Sequence, residues 1–108
     1  TNRTGQVHEV SVREVAASRG KARLIDVREP QEFTGELGHI PGAELVPLGT
    51  LPEAAKSWDK SAPVVLICRS GARSTRATTL LASMGFGAAS NMTGGMLAYN
   101  EAKLPVER

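Results

Sequence analysis

The densest chemistry in this 108-residue chain lies in seven consecutive residues, Cys68-Arg69-Ser70-Gly71-Ala72-Arg73-Ser74. They follow the apolar run Val64-Val65-Leu66-Ile67 and precede a stretch with helical periodicity. A tight loop at a helix start turns several backbone N–H groups inward, and the helix dipole adds partial positive charge. Gly71 permits a left-handed backbone angle where the ring must close. Arg69 and Arg73 add fixed positive charge. Helix N-termini and neighbouring cations lower a thiol from its ordinary value near ~8.5, so the pattern predicts a Cys68 that is largely thiolate at neutral pH. Such a sulfur can attack, and it can hold a second anionic atom beyond itself. A lone cysteine after an apolar run reads by default as a small buried hydrophobe. The loop reverses that reading, as does the absence of any acid from residues 61–100, where Arg69, Arg73 and Arg76 give a charge of +3. Arg76, on the exposed face of the predicted helix, reads as ordinary surface charge.

The surrounding pattern supplies elements to position this loop. Residues 7–10 fit a short strand. Ser11 and Glu14 have capping-box spacing, Val12, Val15 and Ala16 follow at helical intervals, and Gly20 is the expected stop. Residues 24–27 read as a buried strand, residues 30–33 as a turn or one helical coil, and residues 43–46 as a strand. Thr50 and Glu53 repeat the capping-box spacing, and Leu51, Ala54, Ala55 and Trp58 fit one helical face. Residues 64–67 are apolar throughout, which suits the centre of a parallel sheet covered on both faces. Ala77, Leu80, Leu81 and Met84 give the best helix, over residues 74–84, ended by Gly85. Residues 88–92 read as a last strand, followed by Gly94-Gly95 and a short helix. Alternating strands and helices predict one small α/β domain over residues 1–108, with its site at the carboxyl ends of the strands.

Composition removes other functions. One cysteine allows no internal disulfide, and the two histidines, His8 and His39, offer no metal-ligand spacing. Four aromatic residues and a net charge of +2 argue against nucleic acid as a partner. The longest apolar run, residues 64–68, is far short of a membrane span. A single reactive thiol fits the cytoplasm, and a start at Thr1 without Met is expected of a processed form or a piece cut from a longer protein.

Taken in order, Leu24-Ile25-Asp26-Val27-Arg28-Glu29, Glu32-Phe33, Gly38-His39-Ile40-Pro41-Gly42-Ala43, the Cys68 loop and Gly94-Gly95 resemble a rhodanese domain. The likeness runs from about residue 7 to residue 104. It implies a five-stranded, mainly parallel sheet flanked by helices on both faces. It also implies sulfur transfer from thiosulfate or a persulfide to a thiol, cyanide or a thiol-bearing protein, through a cysteine persulfide and without metal or organic cofactor. By the same resemblance Cys68 is the nucleophile, and Arg69, Ser70, Gly71, Ala72, Arg73 and Ser74 form the loop that cradles the outer sulfur. Asp26 and Arg28 match a structural Asp-Val-Arg motif, and His39 lies in a structural turn. Tyr99 stands where the family often has Trp. Two alternatives remain: an interaction or regulatory module, and a cysteine-dependent phosphatase or arsenate reductase. The latter places five residues between Cys and Arg, where this chain has four.

Overall fold

The run Val64-Val65-Leu66-Ile67 lies at the centre of a five-stranded sheet in a computed structural model that describes residues 8–18 and 20–108. The strands are β1 (Glu9–Val10), β2 (Arg23–Asp26), β3 (Glu44–Leu45), β4 (Val64–Ile67) and β5 (Ala89–Met92). Their order is β1-β5-β4-β2-β3, and every adjacent pair is parallel. The expected mainly parallel sheet is therefore parallel throughout its named strands. An isolated antiparallel bridge joins His39 to Glu107 outside them.

Among the described residues five α-helices flank the sheet: α1 (Val12–Ala17), α2 (Pro30–Phe33), α3 (Leu51–Ala55), α4 (Ala72–Ser83) and α5 (Gly95–Glu101). Because side chains alternate across a strand, β4 feeds two cores. Val64, Leu66 and Cys68 face Leu51 and Ala55 of α3 and Ala77 and Leu81 of α4. Val65 and Ile67 join Val15 of α1 and Met96 and Tyr99 of α5. Cys68 continues the first series, which turns its sulfur toward the start of α4.

Local signals explain most boundaries. The Ser11 capping box forms, with the Glu14 N–H donating to Ser11 Oγ at 3.1 Å and the Ser11 N–H to Glu14 Oε1 at 2.7 Å. Its helix ends at Ala17 with Ser18 as the cap, ahead of Gly20. The residue 7 end of the first predicted strand lies outside the described residues. The second capping box does not form. Thr50 ends a 3-10 turn (Leu48–Thr50) with φ −103° and ψ −4°, whereas a capping residue needs extended backbone. Its hydroxyl donates to the Pro47 carbonyl at 2.9 Å instead. Helix α3 then stops at Ala55, so Trp58 lies beyond it, edge-on to Phe86 and under the Arg23 guanidinium. Helix α4 begins two residues before the predicted start and ends at Ser83.

Candidate active site

The loop between β4 and α4 is built around the Cys68 sulfur. Gly71 caps α4 at φ +113°, a left-handed angle that brings its N–H to 3.0 Å from Cys68 Sγ. The Ser74 hydroxyl stands 3.3 Å from the same sulfur. On the outside of the loop, α5 takes up the carbonyls: Met96 N–H donates to Cys68 O at 2.8 Å and Leu97 N–H to Arg69 O at 3.0 Å. In a trans peptide the N–H points opposite to its C=O, so holding these two oxygens outward directs the Arg69 and Ser70 amides inward. Gly95 makes that contact possible, since a Cβ there would overlap the backbone of Cys68 and Arg69.

Burial pushes the Cys68 thiol up, yet its pKa lies below the ordinary value. Hydrogen bonds from the Ser74 hydroxyl and from the amides of Ser74, Gly71 and Ser70 outweigh the cost of desolvation. The lowering comes chiefly from these directed donors, and the charges of Arg73 and Cys68 also favour each other. Cys68 itself is 1% exposed.

The two loop arginines differ. Arg69 is exposed. Arg73 turns away to Glu32 of α2, with Nη1–Oε1 at 2.7 Å and Nη2–Oε2 at 2.8 Å. The Arg73 guanidinium bonded to Glu32, helped by the Glu29 N–H, pulls the Glu32 carboxyl down to about 2. The acid-free surroundings read from residues 61–100 are thus closed by an acid from another part of the chain. In the sequence Glu32 stands out only within Glu32-Phe33, and its pairing with Arg73 comes from the fold bringing α2 near the start of α4.

Asp26 and Arg28 form a wholly buried bidentate pair, Nε–Oδ1 at 2.9 Å and Nη2–Oδ2 at 2.7 Å. Arg28 Nη2 also donates to Gly38 O at 2.7 Å, tying the end of β2 to the His39 turn. The His39 ring stacks on Phe33 with centroids 3.7 Å apart, and its Nδ1 donates to the Phe33 carbonyl at 2.8 Å. That bond uses the Nδ1 proton within the turn. Arg76 is exposed, as its place on the helix predicts.

One residue at the site escaped the sequence reading. Asn91 of β5, 3% exposed, hydrogen-bonds the Ser74 hydroxyl through its side chain. The available signal was a polar residue on an inward-facing position of a buried strand.

The crevice opens where β2 and β4 lie side by side and their following connections leave in opposite directions, to β3 and to β5. Ligand sites of open parallel sheets occur at such points. A cleft of about 400 Å³ there is lined by Arg28, Gln31, Glu32, Gly35, Glu36 and Leu37 from the β2 side and Arg69 from the β4 side. Among the described residues no cluster of His, Cys, Asp or Glu could hold a metal ion, and no helix is long and apolar enough to cross a membrane.

Comparison with known proteins agrees with this fold. A sulfurtransferase of Allochromatium vinosum is 37% identical over 83 residues, covering 77% of this chain and 76% of that protein. An uncharacterized protein of Bacillus subtilis is 43% identical over 82 residues, which is 76% of this chain and 64% of that longer relative. Among solved structures, a human single-domain sulfurtransferase superposes with a TM-score of 0.77 at 30% identity, covering 89% of this chain and 97% of that one. The family model for the rhodanese-like domain matches residues 11–102, and the chain belongs to that family.

Proposed function

We propose that this protein is a sulfurtransferase that carries a sulfur atom as a persulfide on Cys68, and that residues 1–108 act as one domain. The carrying observation is the sulfur ringed by donors, with the Gly71 N–H at 3.0 Å and the Ser74 hydroxyl at 3.3 Å. In the proposed reaction the Cys68 thiolate attacks the outer sulfur of thiosulfate. A new S–S bond forms, the S–S bond of thiosulfate breaks, and sulfite leaves with the electron pair. An acceptor thiolate or cyanide then attacks the outer sulfur and returns Cys68 to the thiolate. A small-molecule persulfide serves as donor in the same way, with its thiolate as leaving group. Neither step calls for a metal or an organic cofactor. Arg69, Ser70, Gly71, Ala72, Arg73 and Ser74 form the cradle in this reading, while Asp26, Arg28 and His39 hold the loops around it. A single thiol kept reduced suits the cytoplasm.

The rival phosphatase reading is disfavoured by Arg73. A tetrahedral oxyanion needs that guanidinium turned inward, and here it is committed to Glu32. Mass spectrometry after incubation with thiosulfate tests the proposal. One added sulfur is expected on Cys68, removed by cyanide, and Cys68→Ser is expected to keep the fold and lose all transfer. Transfer by the serine variant, or aryl phosphate hydrolysis at a comparable rate, overturns it.

A further inference from the structure

The Ser74 hydroxyl has more neighbours than it can serve. It lies 3.3 Å from Cys68 Sγ, 3.2 Å from the Gly71 carbonyl and in hydrogen-bond contact with Oδ1 of Asn91. A hydroxyl has one proton to give and two lone pairs to receive. The Gly71 carbonyl can only accept, and it already takes the Thr75 hydroxyl at 2.7 Å. The direction of the Ser74 proton is therefore set between sulfur and Asn91.

The two ends of a primary amide have the same shape and opposite hydrogen-bonding character. With Oδ1 toward Ser74, the serine donates to Asn91 and offers a lone pair to the sulfur, which is the partner a neutral S–H requires. With the amide turned over, Nδ2 donates to Ser74 and the serine proton goes to sulfur, the arrangement an anionic sulfur requires. Ser74, Asn91 and Cys68 are all buried, so bulk water does not supply either arrangement.

We propose that Asn91 is a positioning residue for Cys68, acting through Ser74: its amide sets the direction of the serine hydroxyl and reverses it with the charge on sulfur. The inference rests on Cys68 as the sulfur carrier, but it concerns the thiol itself and can be read without any transfer. Other charges near the sulfur are Arg69 on the loop, Arg73 on α4 with its Glu32 partner, and the Asp26–Arg28 pair at the end of β2. Strand β5 and the first turn of α5 contribute no charged side chain. A change at Asn91 leaves all of these in place.

The experiment is the pH dependence of Cys68 alkylation by iodoacetamide, which reads one site because the chain has one cysteine. Asn91→Leu keeps the approximate size and removes both amide atoms. The bond to an anionic sulfur is the stronger of the two arrangements, so the loss falls mainly on the thiolate. The alkylation midpoint should therefore rise by about one pH unit, seen as about tenfold slower alkylation below the midpoint. In a Ser74→Ala background the same change should add nothing. Should the leucine variant not fold, Asn91→Asp keeps the shape, and its upward shift should be larger with Ser74 present than in Ser74→Ala. An unshifted midpoint, or a shift of the same size with and without Ser74, overturns the inference. Failure of wild-type protein to form a persulfide overturns the transfer reading and leaves the alkylation curves interpretable.

Discussion

Arg28 is the largest fully buried side chain among the described residues, and what it does follows from where its charge can go. A guanidinium cannot shed its proton, so burial requires a fixed anion and Asp26 supplies it two residues away. The pair also spans from β2 to the Gly38 carbonyl, which places the His39 turn beside the crevice. Removing one member strands the other in the core. Arg28→Leu should therefore cost about 3–5 kcal/mol, measured by denaturant unfolding, while replacing both Asp26 and Arg28 by leucine should recover a large part of that loss. Equal losses in the single and double variants would show that the packing of the arginine stem, not the ion pair, holds this corner. Cys68 shows the same logic in a smaller group: burial disfavours its thiolate, and four directed donors more than compensate.

Two contacts between elements decide whether those donors point at the sulfur. The first is α5 against the loop, where Gly95 at φ +60° lets two amides reach the carbonyls of Cys68 and Arg69. Gly95→Ala should push the helix off the loop, release the inward amides and cut persulfide formation on the order of 10²-fold. The protein would still unfold cooperatively, and near-normal rates in this variant would mean that α5 does not set the loop. The second contact is Glu32 on α2 with Arg73 on α4. Its folded pKa of about 2 lies below the ordinary 4.5, so the unfolded chain binds more protons between these values. The pair's contribution is thus fully present above pH ~4.5 and is lost as pH falls through about 2. Both side chains are partly solvated, which holds it to about 1–2 kcal/mol. Glu32→Gln should lower stability at neutral pH by that amount and flatten the acid limb of the unfolding profile; an unchanged limb would remove the pair from the account. These contacts also mark what the sequence could and could not tell. Val64-Val65-Leu66-Ile67, the Ser11 box and the periodicity of Ala77, Leu80, Leu81 and Met84 are local signals, and they place the central strand, the first cap and the main helix. The cysteine loop is equally local, since its chemistry lies in consecutive residues. Glu32 with Arg73, and Asn91 with Ser74, join residues 41 and 17 positions apart, and no spacing rule reaches across a crossover. Thr50 fails in the opposite way, because Pro47 ahead of it starts a tighter turn that claims its hydroxyl.

Across the whole molecule the sheet order sets the electrostatics of the entrance. Connections that part between β2 and β4 leave an opening walled by Arg28, Glu32 and Glu36 on one side and Arg69 on the other. Arg28 is neutralised by Asp26, and Glu32 is neutralised by Arg73. Arg69 stands exposed at the rim, with no acid in its own segment of residues 61–100, and no ion pair of its side chain is found among the described residues. Glu36, exposed on the opposite wall, likewise has no ion pair of its side chain among the described residues, so an approaching donor meets Arg69 and Glu36 across the opening of a chain of net charge +2. Arg69, together with the net positive charge, raises the encounter rate of a dianion such as thiosulfate against the repulsion of Glu36. Its effect weakens as salt shortens the range from about 30 Å at 0.01 M to about 8 Å at 0.15 M. Persulfide formation from thiosulfate should slow several-fold over that range, while a neutral persulfide donor should be nearly indifferent to it. Arg69→Gln should reduce the thiosulfate rate at low salt by up to about tenfold and remove its slowing by salt. Arg76→Gln should change neither, because that side chain projects from the exposed face of α4. Time courses of persulfide formation followed by mass spectrometry, for two donors at two ionic strengths, separate the terms. A slowing by salt that survives in Arg69→Gln, or one that Arg76→Gln abolishes equally, would assign the steering to bulk charge instead of the rim of the crevice.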